Sequence, residues 1–417
     1  MSSVLSLIKL IIPYTRYLPL AILTLPASLA LHIASHPSPT PLSFLKDPLT
    51  NPIHLPLLFC LGSIPVFYTL GILTGNVSWV DRSWPFYTPI CSGLIMAWAV
   101  FNDHAGVYGH NLPRLIVMIA LQMIWSTRLL SHALRRGFYD FSGEDYRYTQ
   151  FRKIVPRWLF ALVHLFAVAI AQPLLLLSLS LPMHSILVLP PSELSPGPIP
   201  RLSLPFSIIQ PFLPSAYTTA PSDIPILNSM DLFLIFLSLT LVYIEYTADN
   251  AMYAYQTAKH NDSSKQIVSP TPTSSNLKPS RVNGAPGPAK YPRSFHPGFK
   301  LGGLWRYSRH PNFAAEQLFW LTQALFVVAA GESSGVTRTG WVGGSVFGPA
   351  LGLSLLFCAS TFLTEWITEC KYPAYGAFRG LVGQFLPQET AIKYIWSVVS
   401  GQRPKWLEEL SSPPSGK

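Results

Sequence analysis

The 417-residue chain is 49% hydrophobic and only 12% charged, so it lacks the charged surface of roughly a quarter of all residues that a soluble protein carries. Its net charge of +10 is spread over loops between apolar runs rather than gathered in one basic patch, which excludes a nucleic-acid binder. The composition, with a mean hydropathy of +0.32, predicts an all-α, polytopic membrane helix bundle.

A hydrocarbon core takes about 20 apolar residues per helix. On that scale the apolar runs predict about eight transmembrane helices, with seven as the alternative count, near 17–35, 54–74, 84–101, 112–130, 158–181, 231–248, 313–330 and 342–364. Lys9 and Arg16 precede the first run, which reads as a retained anchor rather than a cleaved signal, kinked at Pro26. Basic residues crowd 131–157, 249–312 and the C-terminal tail, while the alternate loops are nearly bare. That alternation places both termini in the cytosol, where the basic loops also offer a cytosol-facing site for a negatively charged cofactor. The sequons at Asn76 and Asn261 then face the cytosol and carry no glycan.

The expected domain plan is an N-terminal anchor and loop (1–50), a membrane domain (51–400) and a tail (401–417). Two insertions interrupt the membrane domain. Residues 183–228 are Pro-rich and lumenal, where Pro190, Pro191, Pro196, Pro198 and Pro200 forbid a helix, and 257–294 is a disordered cytosolic segment. The four cysteines, Cys60, Cys91, Cys358 and Cys370, have no CxxC spacing, so neither a disulfide framework nor a metal site is expected.

Five polar clusters sit near the cytosolic ends of the spans. Asp81 lies in a short loop between two spans, flanked by Trp79 and Trp84. Arg128 and His132 are one helical turn apart. The loop Glu144-Asp145-Tyr146-Arg147-Tyr148 mixes charges, which alone describes a solvated surface. Glu245, Asp249 and Tyr253 share one helical face, and a carboxylate inside a membrane span marks a functional position by default. The fifth cluster runs Arg306-Tyr307-Ser308-Arg309-His310-Pro311-Asn312 and on to Glu316. Pro311 suits the first helical turn, whose unpaired N–H groups, with Arg306 and Arg309, make a cradle for phosphate, while Asn312 and Glu316 share a face that can read a base or an amide.

In this order the blocks N-x-S-x-V-D-x-x-W (from Asn76), W-S-x-R-L (from Trp125), E-D-Y-R-Y (from Glu144), E-x-x-A-D (from Glu245) and G-L-W-R-Y-S-R-H-P-N-F-x-x-E (from Gly303) resemble the DUF1295 family. That family belongs to the steroid 5-alpha-reductase C-terminal-domain superfamily. Thr364-Glu365, Lys371-Tyr372-Pro373-x-Tyr375 and Phe385-Leu386-Pro387 extend the match, which departs at Ala251, where Gln is usual, and at Ala315, where Gly is usual. The resemblance implies an oxidoreductase that passes hydride from NADPH to an activated C=C of a hydrophobic, sterol- or lipid-like molecule. It implies cofactor contacts at Arg147, Tyr148, Glu245, Asp249, Arg306, Tyr307, Arg309, His310, Asn312, Glu316 and Tyr372, with Asp81, Arg128 and His132 nearer the substrate and the proton supply. The expected partners are that small molecule and the bilayer, with no nucleic acid. Two alternatives stay open: an S-adenosylmethionine-dependent membrane methyltransferase of the isoprenylcysteine or phospholipid type, which shares an R-H-P-x-Y-x-x-E-like block, and a non-catalytic lipid-binding protein.

Overall fold

A computed structural model of the chain describes residues 45, 48–102, 112–141, 143–188, 227, 229–262, 267–268, 286–331 and 346–401. The expected first span, 17–35, lies outside them, as does most of the Pro-rich insertion. The described chain is helical: α1 His54–Thr74, α2 Trp79–Asn102, α3 Leu112–Arg135, α4 Tyr146–Ile154, α5 Arg157–Leu162, a π-helical stretch Val163–Ala171, α6 Gln172–Ser178, α7 Leu181–Val188, α8 Ser229–Asn261, α9 Pro311–Gly331, α10 Gly348–Lys371, α11 Ala374–Leu381 and α12 Pro387–Val399. Among the described residues six helices are long and apolar enough to cross a membrane: His54–Thr74, Trp79–Phe101, Leu112–Arg135, Arg157–Leu187, Met230–Asn261 and Gly348–Lys371. Helix α9 covers the remaining expected run at 313–330.

Two expected boundaries move. Helix α7 carries the chain to Val188, inside the segment read as an insertion, and stops two residues short of Pro190, whose ring disfavours helix in the residue before it. Helix α8 continues to Asn261, and Ile267–Val268 pairs antiparallel with Tyr291–Pro292, so both ends of the segment read as disordered carry regular structure.

The chain packs as two compact units. The first comprises the described residues up to Leu130, His164–Thr240 and Phe319–Leu355. Its helices are tied by buried or partly buried polar contacts: Tyr87 Oη with Ser63 Oγ at 2.7 Å, Trp84 Nε1 donating to Gln172 Oε1 at 2.8 Å, and Thr88 Oγ1 donating to the Leu176 carbonyl at 2.8 Å. Trp125 stacks on Phe319 with centroids 6.0 Å apart and meets Trp320 edge-on at 5.0 Å, a geometry worth about 1 kcal/mol per pair beyond the area buried. Gly71 makes room for His164, whose ring occupies the space a β-carbon would need. Helix α1 ends on Gly75 at φ 65°, a left-handed cap that a side chain would strain. Ile72, Leu73 and Phe236 point outward, as lipid-facing side chains must.

The second unit comprises Ser131–Val163, Leu241–Leu318 and residues from Leu356 onward. Phe299, Tyr375, Phe378 and Val382 form its small core. The loop segment 308–310 lies against 383–384, with the Arg309 and His310 N–H groups donating to the Gly383 and Gln384 carbonyls at 2.9 and 3.0 Å.

In the first unit Arg114 holds Asp231 through two parallel bonds, Nε to Oδ1 at 2.8 Å and Nη2 to Oδ2 at 2.6 Å, with both side chains almost fully buried. Breaking such a pair strands a charge and costs about 3–5 kcal/mol, whereas an apolar pair of similar volume costs little. Asp231→Ala is therefore expected to lose that much stability, and Arg114→Met with Asp231→Leu to recover most of it, as read by unfolding in detergent.

Candidate functional site

In the second unit, two of the residues that the sequence singled out, Arg309 and His310, meet at Glu365. This carboxylate lies late in the apolar helix α10 and is 4% exposed. Arg309 Nε donates to its Oε1 at 2.6 Å and Arg309 Nη2 to its Oε2 at 3.3 Å. His310 Nε2 lies 3.0 Å from Oε1, and Arg379 Nε lies 3.3 Å from Oε2. The remaining Arg309 nitrogen, Nη1, donates to the carbonyls of Arg379 and Val382 at the end of α11. Arg309 thus faces inward and organises the loop; four of its five N–H donors go to the protein itself. His310 stacks on Phe313 with centroids 5.6 Å apart and an interplanar angle of 16°. Burial, and then the charge of Glu365, push the Tyr375 phenol up, so it stays protonated at neutral pH.

Pro311 opens α9, and the residues after it supply the second part of the site. Asn312 Nδ2 donates to Asp249 Oδ1 at 3.0 Å. Its carbonyl oxygen, Oδ1, is buried and has no hydrogen-bond partner among the described residues. Asp249 is 7% exposed, Glu245 one turn earlier on α8 is 0% exposed, and Glu316 one turn beyond Asn312 is 6% exposed. The Trp305 indole donates to the Ala248 carbonyl at 3.3 Å, which docks the loop before α9 onto α8 beside Asp249. Arg306 and Tyr307, in contrast, are exposed, and Arg306 has no ion pair among the described residues.

The basic loop forms the third part. Asp145 caps α4, accepting from the Arg147 N–H at 2.9 Å, and it also holds the Arg147 guanidinium through Nε at 2.9 Å and Nη2 at 3.1 Å. Arg147 Nη1 then reaches Ser360 Oγ on α10 at 2.7 Å. Burial raises the Asp145 carboxyl, but the Arg147 charge and hydrogen bonds outweigh it and hold the group below its ordinary value of 3.8. Tyr148 is half-buried on the same helix. His132 Nδ1 lies 3.1 Å from Arg135 Nη2. A guanidinium can only donate, so Nδ1 accepts, and neutral His132 carries its proton on Nε2. Tyr372, half-buried, has its hydroxyl 2.7 Å from Lys259 Nζ.

Asp81 and Arg128 belong to the first unit: Asp81 is half-buried in the first turn of α2, and Arg128 is half-buried on α3. Three residues of the second unit escaped the sequence-based candidate set. Glu365 and Arg379 are spent on holding Arg309, and Lys259 sits where the helix was expected to have ended. For Glu365 the available signal was a carboxylate inside an apolar run.

This all-α arrangement, with buried carboxylates and arginines at the ends of apolar helices, defines a multi-pass integral membrane protein. The chain belongs to the DUF1295 family, described as a protein of unknown function, which it matches over residues 67–194 and 206–382. The steroid 5-alpha-reductase superfamily label is consistent with that membership. It is also similar to an uncharacterized protein of Schizosaccharomyces pombe, 31% identical over 347 residues, covering 81% of this chain and 80% of the yeast protein. No solved structure matches.

Glu365→Ala would leave buried Arg309 without its counter-charge, so a loss of about 3–5 kcal/mol is expected in detergent unfolding. Asp145 gives a pH signature. Its folded carboxyl lies below the unfolded value, so its contribution is present above 3.8 and is lost as pH falls through that value and below. Asp145→Asn is expected to cost about 1 kcal/mol at neutral pH and progressively less in acid, read as converging melting curves of the two proteins.

Proposed function

We propose that the protein is a membrane reductase that uses NADPH to saturate an activated C=C bond in a hydrophobic, sterol- or lipid-like substrate, in the endoplasmic reticulum with its basic loops on the cytosolic face. The observation that carries this is Asn312. Its side chain is fixed by Asp249, and its buried Oδ1 has an unused lone pair. A buried acceptor left unmade costs about 1–3 kcal/mol, and a primary carboxamide or an exocyclic amine supplies the missing N–H. A nicotinamide dinucleotide carries both groups.

The rest of the unit fits the same ligand. Arg306 and Tyr307 offer a solvent-open cation and a phenol next to the start of α9, suited to pyrophosphate. Arg309 and His310 position that loop through Glu365 rather than touching the ligand. Arg147 and Tyr148, Glu245 and Asp249, Glu316 and Tyr372 frame the remaining polar surface. NADPH, when bound, supplies the hydride. The protein must then hold a proton where charge develops on the substrate oxygen. His132 Nε2–H is the donor best defined by its hydrogen bonding; Asp81 is the other candidate, and Arg128 is a candidate for a substrate contact.

Thermal shift of the detergent-purified chain with NADPH, NADH and S-adenosylmethionine tests this. Stabilisation by NADPH is expected. Stabilisation by S-adenosylmethionine alone would overturn the proposal in favour of a methyltransferase. Asn312→Ala is expected to weaken dinucleotide binding by about tenfold or more in a chain that still inserts and unfolds cooperatively.

A further inference from the structure

Lys259 stands in the last turn of α8, is 8% exposed, and makes no ion pair among the described residues. Both of its hydrogen bonds go to neutral acceptors, the Gly298 carbonyl at 2.5 Å and the Tyr372 hydroxyl at 2.7 Å. A buried ammonium is costly without a counter-charge, and the carbonyls at the end of its own helix supply only about half of one. Its surroundings add positive charge. Lys300 Nζ lies 5.7 Å from the centre of the Tyr255 ring, Lys259 Nζ lies 5.9 Å from the same ring, and Lys371 adjoins Tyr372 in sequence. Asp262, three residues on, accepts from Ser294 Oγ at 2.7 Å.

The donors and acceptors can be counted. An ammonium has three N–H groups, and two are used. The Tyr372 oxygen accepts from Lys259, so its own O–H remains to donate. What the pair has left over is two donors beside a full positive charge, and their complement is an anionic oxygen. The phenol is also held in place. Tyr291 meets its ring edge-on at 5.6 Å, Phe299 lies at 6.2 Å, and Gly298, at φ 98°, approaches so closely that a β-carbon there would come within 2.5 Å of Tyr372 Cε1.

We propose that Lys259 and Tyr372 form a seat for a phosphate monoester. Its owner, on the function proposed above, is the 2′-phosphate that separates NADPH from NADH; that identification rests on the reductase proposal, whereas the seat does not. A phosphatidic-acid headgroup offers the same chemistry, and the experiment separates the two.

The full chain in detergent, as wild type, Lys259→Gln, Lys259→Arg and Tyr372→Phe, is titrated with 2′,5′-ADP, 5′-ADP, inorganic phosphate and short-chain phosphatidic acid, by calorimetry and thermal shift. The expected result is that Lys259→Gln weakens 2′,5′-ADP by on the order of tenfold or more and leaves 5′-ADP unchanged. Lys259→Arg is expected to retain binding, and Tyr372→Phe, which keeps the ring packing, to lose about fivefold to tenfold. Binding of phosphatidic acid with the same variant pattern, and none of 2′,5′-ADP, would keep the seat, give it to a lipid and count against the reductase. If Lys259→Gln fails to fold, Lys259→Arg and Tyr372→Phe give the same comparison. Wild-type affinities for all four probes in every variant that folds, or no binding of any probe by wild type, would overturn the seat. Equal binding of 2′,5′-ADP and 5′-ADP by wild type and Lys259→Gln alike, with no binding of inorganic phosphate or phosphatidic acid, would sink the seat and leave the reductase standing.

Discussion

The second unit depends on one carboxylate being shared three ways. Glu365 sits in a helix apolar enough to cross a bilayer, where an isolated carboxylate is costly to keep. Arg309, His310 and Arg379 all converge on it. Arg309 in turn closes the open carbonyls at the end of α11, and the Lys393 ammonium, from α12, reaches the same two carbonyls at 3.2 Å each. A short helix end, a loop and a long helix are thereby locked by charge rather than by apolar area, which suits a small core of four buried residues. The start of α9, where Asn312 must be held still, inherits its position from this lock.

Helix α8 supplies the complementary surface. Asp249 and Lys259 each lie about 40° from Glu245 around its axis, on opposite sides, so acid, acid and base share a face about 80° wide. The acids meet the start of α9 through Asn312, and the base meets the end of α10 through Tyr372. One end of this strip has an unused acceptor and the other has unused donors. A ligand that fits both must carry amide-like N–H groups and an anion on the same molecule, the pairing that a phosphorylated dinucleotide provides.

Much of this was legible from residue order, and the limits have physical causes. Helix α1 spans 54–74 as expected, because its length is set by a uniformly apolar composition bounded by a left-handed glycine. The Asn312 neighbourhood was legible as a helix start with two polar residues on one face. The role of Arg309 was not. An arginine before a helix reads as a phosphate ligand, and only its partner 56 positions away shows that most of its donors are spent. Lys259 was missed because hydropathy falls off near residue 248 while the helix continues: its last turns replace apolar side chains with tyrosines and a lysine that pack against the loop at 291–299. The pairing of Asn312 with Asp249, 63 positions apart, belongs to packing that no local pattern encodes.

Gly298 turns a backbone conformation into an evolutionary constraint. Its left-handed φ and its contact with the Tyr372 ring rule out a β-carbon on two independent grounds. All nineteen alternative amino acids carry one, so no conservative replacement exists and no neutral drift can pass through this position. Descendants of this chain can reshape the surroundings of Lys259 and Tyr372 only by changing the residues on either side of a fixed point.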